Sequence, residues 1–184
     1  HGKEVHTMEQ AITSQPRPMR RADRAVRAAE EIEGILRDCP DVRVAYQDAQ
    51  GLTIVPVNFA YVFEEGRLLL FMHSALEGRK IDAIRAAGNA LPVAFEMDCD
   101  AQVYTGRTPC SSTTAFRSII GTGMAGLIDE TGKKIEALTL LMQQRTGMKD
   151  VKLQPRQVGK VAIWRIASTE FTAKRHPAPA MHRD

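Results

Sequence analysis

His73, Ser74, Arg79 and Lys80 fall within the eight-residue stretch HSALEGRK, and they gather an imidazole, a hydroxyl and two cations in one place. Gly78 precedes the cations, and Ile81 and Ile84 follow at helical spacing, so the pair opens a short helix over Gly78 to Ala87. A helix N-terminus favours an anion through its dipole and its free N–H groups. Hydroxyl, ammonium and guanidinium groups add charge-assisted hydrogen bonds. The chemistry such a set supports is phosphate binding. Singly, these residues also fit an ordinary capped helix with solvated cations; as an ordered set they favour the phosphate.

Upstream, Val55-Pro56-Val57-Asn58-Phe59 has the pattern of a strand interrupted by a proline. Proline cannot donate to a sheet ladder, so this strand lies at an edge or faces something other than another strand. A flat, hydrogen-bonding ring could lie along it, met by backbone groups and by the Asn58 amide, which both donates and accepts. A surface strand with Asn58 bonded to water fits the same five residues. His73 ends the following strand. It could donate a proton to a bound acceptor, or serve as a strand-end residue bonded to a backbone carbonyl.

A second motif, Gly121-Thr122-Gly123-Met124-Ala125-Gly126, has the G-x-G-x-x-G spacing of a dinucleotide fingerprint. That fingerprint requires a helix to begin within it, so that amides point at a pyrophosphate. Here the apolar run continues through Leu127-Ile128 and the helix begins only after Asp129. Glycines inside a strand instead mark a bulge, a bend or a close backbone approach. Gly132-Lys133-Lys134 is no Walker loop, because no Ser or Thr follows the lysine.

The elements that position these groups follow from periodicity and turn chemistry. Asp23 is suited to cap a helix running to about Asp38, which Cys39-Pro40 ends. Three strands follow, Val42 to Gln47, Leu52 to Phe63 and Arg67 to His73, joined by turns at Asp48-Ala49-Gln50-Gly51 and Glu64-Glu65-Gly66. Short loops make them antiparallel neighbours in a meander. Pro92 to Phe95 and Ala101 to Tyr104 are strand material on either side of a polar link. Phe116 to Ile128 is a long strand, Asp129 to Gly147 a helix, and Val158 to Ile166 a closing strand with the only tryptophan, Trp164. Sequential strands without repeated β-α-β units point to an antiparallel barrel with peripheral helices.

The chain has 184 residues, is 43% hydrophobic and 26% charged, and carries a net charge of +3. One globular domain is expected over residues 19–174, with a loose arm at 1–18 and a polar tail at 175–184. Met8 is a candidate native start, with His1 to Thr7 preceding it. Three cysteines, none in a C-x-x-C pair, and five histidines outside any zinc spacing give no metal site. Reduced thiols suit the cytoplasm. No apolar run approaches the roughly 18 residues of a membrane span. The mild positive charge with few aromatics gives no nucleic-acid platform. Arg17, Arg20, Arg21, Arg24 and Arg27 concentrate charge near the start. A solvated helix face accounts for them, and a phosphate or acidic-ligand contact from Arg20 or Arg21 is the alternative.

Four blocks, in order, resemble the FMN-binding flavin split barrels related to pyridoxamine-phosphate oxidase, and within them the nitroimidazole-resistance group. They are Met19-Arg20-Arg21-Ala22-Asp23-Arg24, Val55 to Phe59, His73-Ser74-Ala75 through Gly78-Arg79-Lys80-Ile81-Asp82, and Phe116-Arg117-Ser118-Ile119-Ile120-Gly121. The third is the most specific. The resemblance implies a mainly β (α+β) fold, a six-stranded antiparallel split β-barrel, and a homodimer with FMN at the interface. It implies that Pro56, Val57 and Asn58 line the ring, and that Ser74, Arg79 and Lys80, beside Ala75, hold the phosphate. Ser118 would close the pocket from the partner subunit, and His73 would stand near flavin and substrate as the candidate catalytic residue. Gly121-Thr122-Gly123-Met124 is more open than the family's pattern, and the C-terminal substrate segment of true pyridoxamine-phosphate oxidases is not evident. The implied activity is FMN-dependent reduction of a small electron-poor acceptor such as a nitroimidazole or another nitroaromatic. The alternatives are a non-catalytic flavin or haem protein, with His73 or His176 as the axial ligand, and an interaction protein using its basic N-terminal helix.

Overall fold

The structure, a computed structural model, describes residues 18–180, so most of the predicted arm and the end of the tail lie outside the described residues. In chain order the elements are β1 (Ala25–Val26), α1 (Ala29–Asp38), β2 (Val42–Asp48), β3 (Gly51–Val57), β4 (Ala60–Glu64) and β5 (Arg67–Ser74). Then come α2 (Arg79–Ala86), β6 (Leu91–Tyr104), β7 (Thr113–Ile128), α3 (Thr131–Thr146), α4 (Pro155–Val158) and β8 (Ala162–His176). Seven strands form one antiparallel sheet in the order β3-β2-β6-β7-β8-β5-β4, and the two-residue β1 adds to β8. The end strands β3 and β4 do not pair, so the sheet is open, as a split barrel requires. Its inner face carries Phe95, Met97, Ile119, Leu68, Leu70, Met72, Trp164 and Ile166, all almost wholly buried with Ile35 and Leu36 of α1. Among the described residues no helix is long and apolar enough to cross a membrane.

Four boundaries differ from expectation. The first helix begins at Ala29, not after Asp23, because Arg21 holds the Asp23 carboxylate at 2.8 and 2.6 Å and Ala25–Val26 pairs with β8. The expected strand Leu52 to Phe63 breaks at Asn58-Phe59 into two edge strands, so there is no three-strand meander. Phe59 turns into the core, and Arg145 takes its carbonyl. The two pieces around Asp98-Cys99-Asp100 are one strand, β6; a bulge between Cys99 and Gln102 absorbs the polar link, with Asp100 at φ 56°. The last strand begins at Ala162 and runs to His176, ten residues beyond the apolar part, because β7 offers pairing partners along its whole length.

The two edges of the sheet are treated differently. Gln144 of α3 accepts from Tyr61 N–H at 2.8 Å and donates to the Tyr61 carbonyl at 2.9 Å, so a side chain closes the middle of the β4 edge. Nearby, the Arg145 guanidinium donates to the Phe59 carbonyl, to Cys39 O at 2.7 Å and to Leu36 O at 3.4 Å, and lies 4.2 Å from the centre of the Phe59 ring. It supplies donors for carbonyls at the end of α1 that the helix cannot satisfy itself. On β3 the corresponding cover is confined to the first residue, where Arg79 donates to Gly51 O at 3.0 Å.

The fingerprint-like glycines sit within β7 as close-approach residues. A Cβ at Gly121 would lie 2.5 Å from the Phe95 ring, one at Gly123 2.5 Å from Ala167 O, and one at Gly126 2.8 Å from Asn89 O. The β7–β8 register also shifts between Thr122 and Met124. The motif therefore serves strand packing.

Candidate cofactor site

β3 pairs on one side only, with β2, and Pro56 sits opposite Arg43. Beyond Gly51, among the described residues, no side chain covers its outer backbone edge in the way Gln144 covers β4. A bare strand edge is a set of donors and acceptors waiting for a partner. Seven residues give that edge about 20 Å of length. Leu52, Ile54 and Pro56 point outward, while Val55 and Val57 pack against the core. At the far end Asn58 spends its amide hydrogens on Asp41 Oδ1 at 2.8 Å and Pro40 O at 3.4 Å. Its Oδ1 is left to accept from a ring N–H.

The cations stand at the opposite end of the edge. β5 ends at Ser74, a loop carries exposed Ala75, and Gly78 at φ 135° turns the chain into α2. A side chain is strained at that φ, so Gly78 lets the helix start with Arg79 and Lys80 in place. Arg79 is already committed: its Nε and Nη2 each lie 2.8 Å from the Asp48 carboxylate, and Nη2 also reaches Gly51 O. That pairing clasps α2 to the β2–β3 turn and holds the Asp48 pKa down at about 2, chiefly through the Arg79 hydrogen bond.

Lys80 has no carboxylate within salt-bridge distance among the described residues. Its half-buried stem borders a crevice with Tyr46, Ile84 and Trp164. Trp164 Nε1 donates to Ser74 Oγ at 3.0 Å, which orients the hydroxyl. Lys80, Ser74 and the α2 N-terminus thus share one neighbourhood through Trp164, with Lys80 as the uncommitted cation and Arg79 as the clasp. Burial raises the Tyr46 pKa, so the phenol beside Lys80 stays neutral.

His73 is exposed on the opposite face of β5 from Met72 and lies against Leu138 and Leu141 of α3. Next to it, Phe71 joins Val62, Leu127, Ala137 and Leu140 around an open cavity of about 450 Å³ with Lys133, Glu136 and Arg165 among its charged lining residues. Ser118 is far from this group within one chain. It pairs with Lys174 on β8, whereas Ser74 pairs with Ala162. Twelve β8 residues correspond to about 40 Å of strand.

The site thus unites β3, Ser74 and Lys80, assigns Arg79 to the scaffold, sets His73 on a neighbouring face and leaves Ser118 out. Sequence reasoning missed Asp48, Asp41 and the Trp164–Ser74 bond. Only Asp48 carried a signal, as a turn residue whose carboxylate needed a partner.

Solved structures similar to this chain share the fold. A proposed 5-nitroimidazole antibiotic resistance protein from Bacteroides thetaiotaomicron matches at 23% identity with a TM-score of 0.67, covering 82% of this chain and 86% of that one. An FAD- and haem-binding protein from Mycobacterium smegmatis matches at 17% identity and 0.69, covering 85% and 77%. The flavocytochrome Anf3 from Azotobacter vinelandii matches at 18% and 0.68, covering 91% and 76%. No curated protein matches the chain in sequence. The family model described as pyridoxamine 5'-phosphate oxidase matches residues 28–175, so the chain belongs to that family of flavin-binding split barrels.

Proposed function

We propose that this protein is an FMN-dependent oxidoreductase that reduces a small electron-poor acceptor, with nitroimidazoles and other nitroaromatics as the acceptor class. The observation that carries the flavin part is the edge of β3, uncovered beyond Gly51 and with Lys80 unpaired at the nearby α2 N-terminus among the described residues, while Gln144 closes the middle of the opposite edge of the sheet. Bound FMN would supply the electron transfer, the chemistry that belongs to the cofactor. The chain's residues bind and orient. Lys80, Ser74 and the first amides of α2 take the phosphate. The β3 backbone from Leu52 to Val57 and Asn58 Oδ1 take the edge of the ring, and Pro56 keeps one position free of a competing N–H. His73, exposed on β5, is the proposed proton donor to the acceptor.

The working unit in this reading is a homodimer. On the outer sheet face register sets Ile54 beside Ala45 and Ala94, and Pro92 beside Met124, while Leu52 faces Gln47 and Pro56 lies in line with the Arg43–Glu96 ion pair and Ile120. Leu52 is 82% exposed, Ile54 61%, Ile120 57% and Met124 45%. Four exposed apolar side chains around a central ion pair on one sheet face suit a second copy of the chain. A second copy also gives Ser118 a route to the site. We place the protein in the cytoplasm, in keeping with free thiols at Cys39, Cys99 and Cys110.

The structural likeness to an FAD- and haem-binding protein and to a flavocytochrome favours a second reading, a flavin or haem carrier without turnover. One experiment separates the two. FMN-loaded protein is reduced with dithionite without oxygen and mixed with a nitroimidazole. The proposal expects flavin reoxidation faster than that of free reduced FMN, and slower in His73→Ala. A rate equal to that of free reduced FMN contradicts the enzyme reading.

A further inference from the structure

At the far end of β8 from the cofactor site, the turn Ala22–Arg24 and β1 close over the strand and leave a cavity of about 340 Å³ lined by Arg21, Asp23, Arg24, Arg175 and His176. Two of the three guanidiniums have carboxylate partners. Arg21 is held by Asp23, and Arg175 lies 3.2 Å from Glu31, which stands outside the cavity. Arg24 meets no carboxylate within 4 Å among the described residues; its Nη2 contacts His176 Nε2 at 3.1 Å. A guanidinium only donates, so Nε2 accepts and the ring proton sits on Nδ1. Nδ1–H then donates to Thr114 O at 2.6 Å. The imidazole in this arrangement is neutral and balances none of the Arg24 charge.

A second guanidinium adds to the imbalance: Ala25 pairs with Lys174, the residue before Arg175, and Arg24 and Arg175 both line the cavity. A half-buried arginine with a neutral partner, beside a second arginine and a polar cavity, is arranged for an anion. From this arrangement we infer that the cavity is a second anion site, which takes a small phosphate-bearing molecule with Arg24 as its principal donor. The planar fork of Arg24 suits a pair of phosphate oxygens, and His176 holds it in position until the anion takes its place. Within one chain the site is distinct from the cofactor phosphate position, because Ala162 and His176 stand at opposite ends of β8, about 45 Å apart along the strand. Ser118 lies at the same end as His176, so in a dimer the Lys80→Ala variant separates this site from the partner subunit's phosphate position. It does not depend on the flavin reading.

Calorimetric titration with inorganic phosphate tests it on wild-type protein, Lys80→Ala, Arg24→Ala and His176→Ala. Saturable binding is expected in wild type; Lys80→Ala, which disables the cofactor phosphate position, is expected to retain the Arg24 component, and Arg24→Ala to weaken that component about tenfold or more. His176→Ala, which frees Arg24, is expected to bind phosphate at least as tightly as wild type. It decides the question even if Arg24→Ala fails to fold. No saturable binding in wild type, wild-type affinity in folded Arg24→Ala, or weaker binding in His176→Ala overturns the assignment. Loss of all binding in Lys80→Ala does so too, by placing the phosphate at the cofactor site.

Discussion

Lys80 and Arg79 are adjacent cations, yet the structure gives them different work, and a pair of variants exposes the difference. Lys80→Met keeps the apolar stem against Tyr46 and Trp164 and removes only the charge. A hydrogen bond to a charged group contributes about 1.5–3 kcal/mol, so FMN affinity is expected to fall roughly 10- to 150-fold. Arg79→Ala acts indirectly. Its guanidinium already spans Asp48 and Gly51 O, so its loss releases the β2–β3 turn and leaves the Asp48 carboxylate unpaired near the incoming phosphate. Asp48→Asn in the Arg79→Ala background removes that repulsion and should recover much of the affinity, whereas Asp48→Asn should not rescue Lys80→Met. Quenching of flavin fluorescence on titration reads the Kd of wild type, of Asp48→Asn alone and of these four variants, and the double-mutant comparison isolates the coupling. FMN affinity in Lys80→Met within about threefold of wild type, less than 1 kcal/mol, would refute the role given to Lys80.

Three further predictions concern the scaffold. Arg145→Ala strips donors from the carbonyls of Leu36, Cys39 and Phe59 and removes the contact with the Phe59 ring; it should cost about 3 kcal/mol in urea unfolding, with Arg145→Lys recovering little because the fork is lost, and a cost below about 1 kcal/mol would contradict the staple. Gly121→Ala puts a methyl group 2.5 Å from the Phe95 ring and 2.7 Å from Phe171 Cβ, so a loss of about 1–3 kcal/mol is expected, and an unchanged Tm would show that β7 yields easily there. The Asp48 pKa of about 2 lies below the ordinary carboxylate value near 4, so its pairing with Arg79 stabilises the fold above that ordinary value and the contribution disappears as pH falls from about 4 through 2. Acid unfolding of Asp48→Asn should therefore show a shallower pH dependence across that window, and an identical slope would count against the clasp.

What was legible in the sequence was local. Pro56 marked an edge strand because a missing N–H has one structural meaning inside a sheet, and β3 is an edge. The HSALEGRK segment placed a strand end, a glycine and a helix start in the right order, and the structure gives that glycine a φ of 135°. The G-x-G-x-x-G spacing failed the context its chemistry demands, and the glycines prove to be sites of close approach within a strand. What was not legible depends on partners distant in the chain. Asp23 looks like a helix cap, but Arg21 lies two residues away and claims it. Arg79 looks free until the fold brings it to Asp48, 31 residues earlier, and nothing near Arg145 announces that it will serve carbonyls more than 80 residues upstream. The length of β8 is likewise set by pairing with β7, since Ser168-Thr169-Glu170 has no strand signal of its own.

The most direct test of the central claim is an absorption spectrum of the purified protein before and after FMN is added and the unbound dye removed. The account predicts a retained flavin spectrum, stoichiometric with the chain, with FMN identified by mass after release. A protein that retains no flavin and shows no saturable change on FMN addition contradicts it.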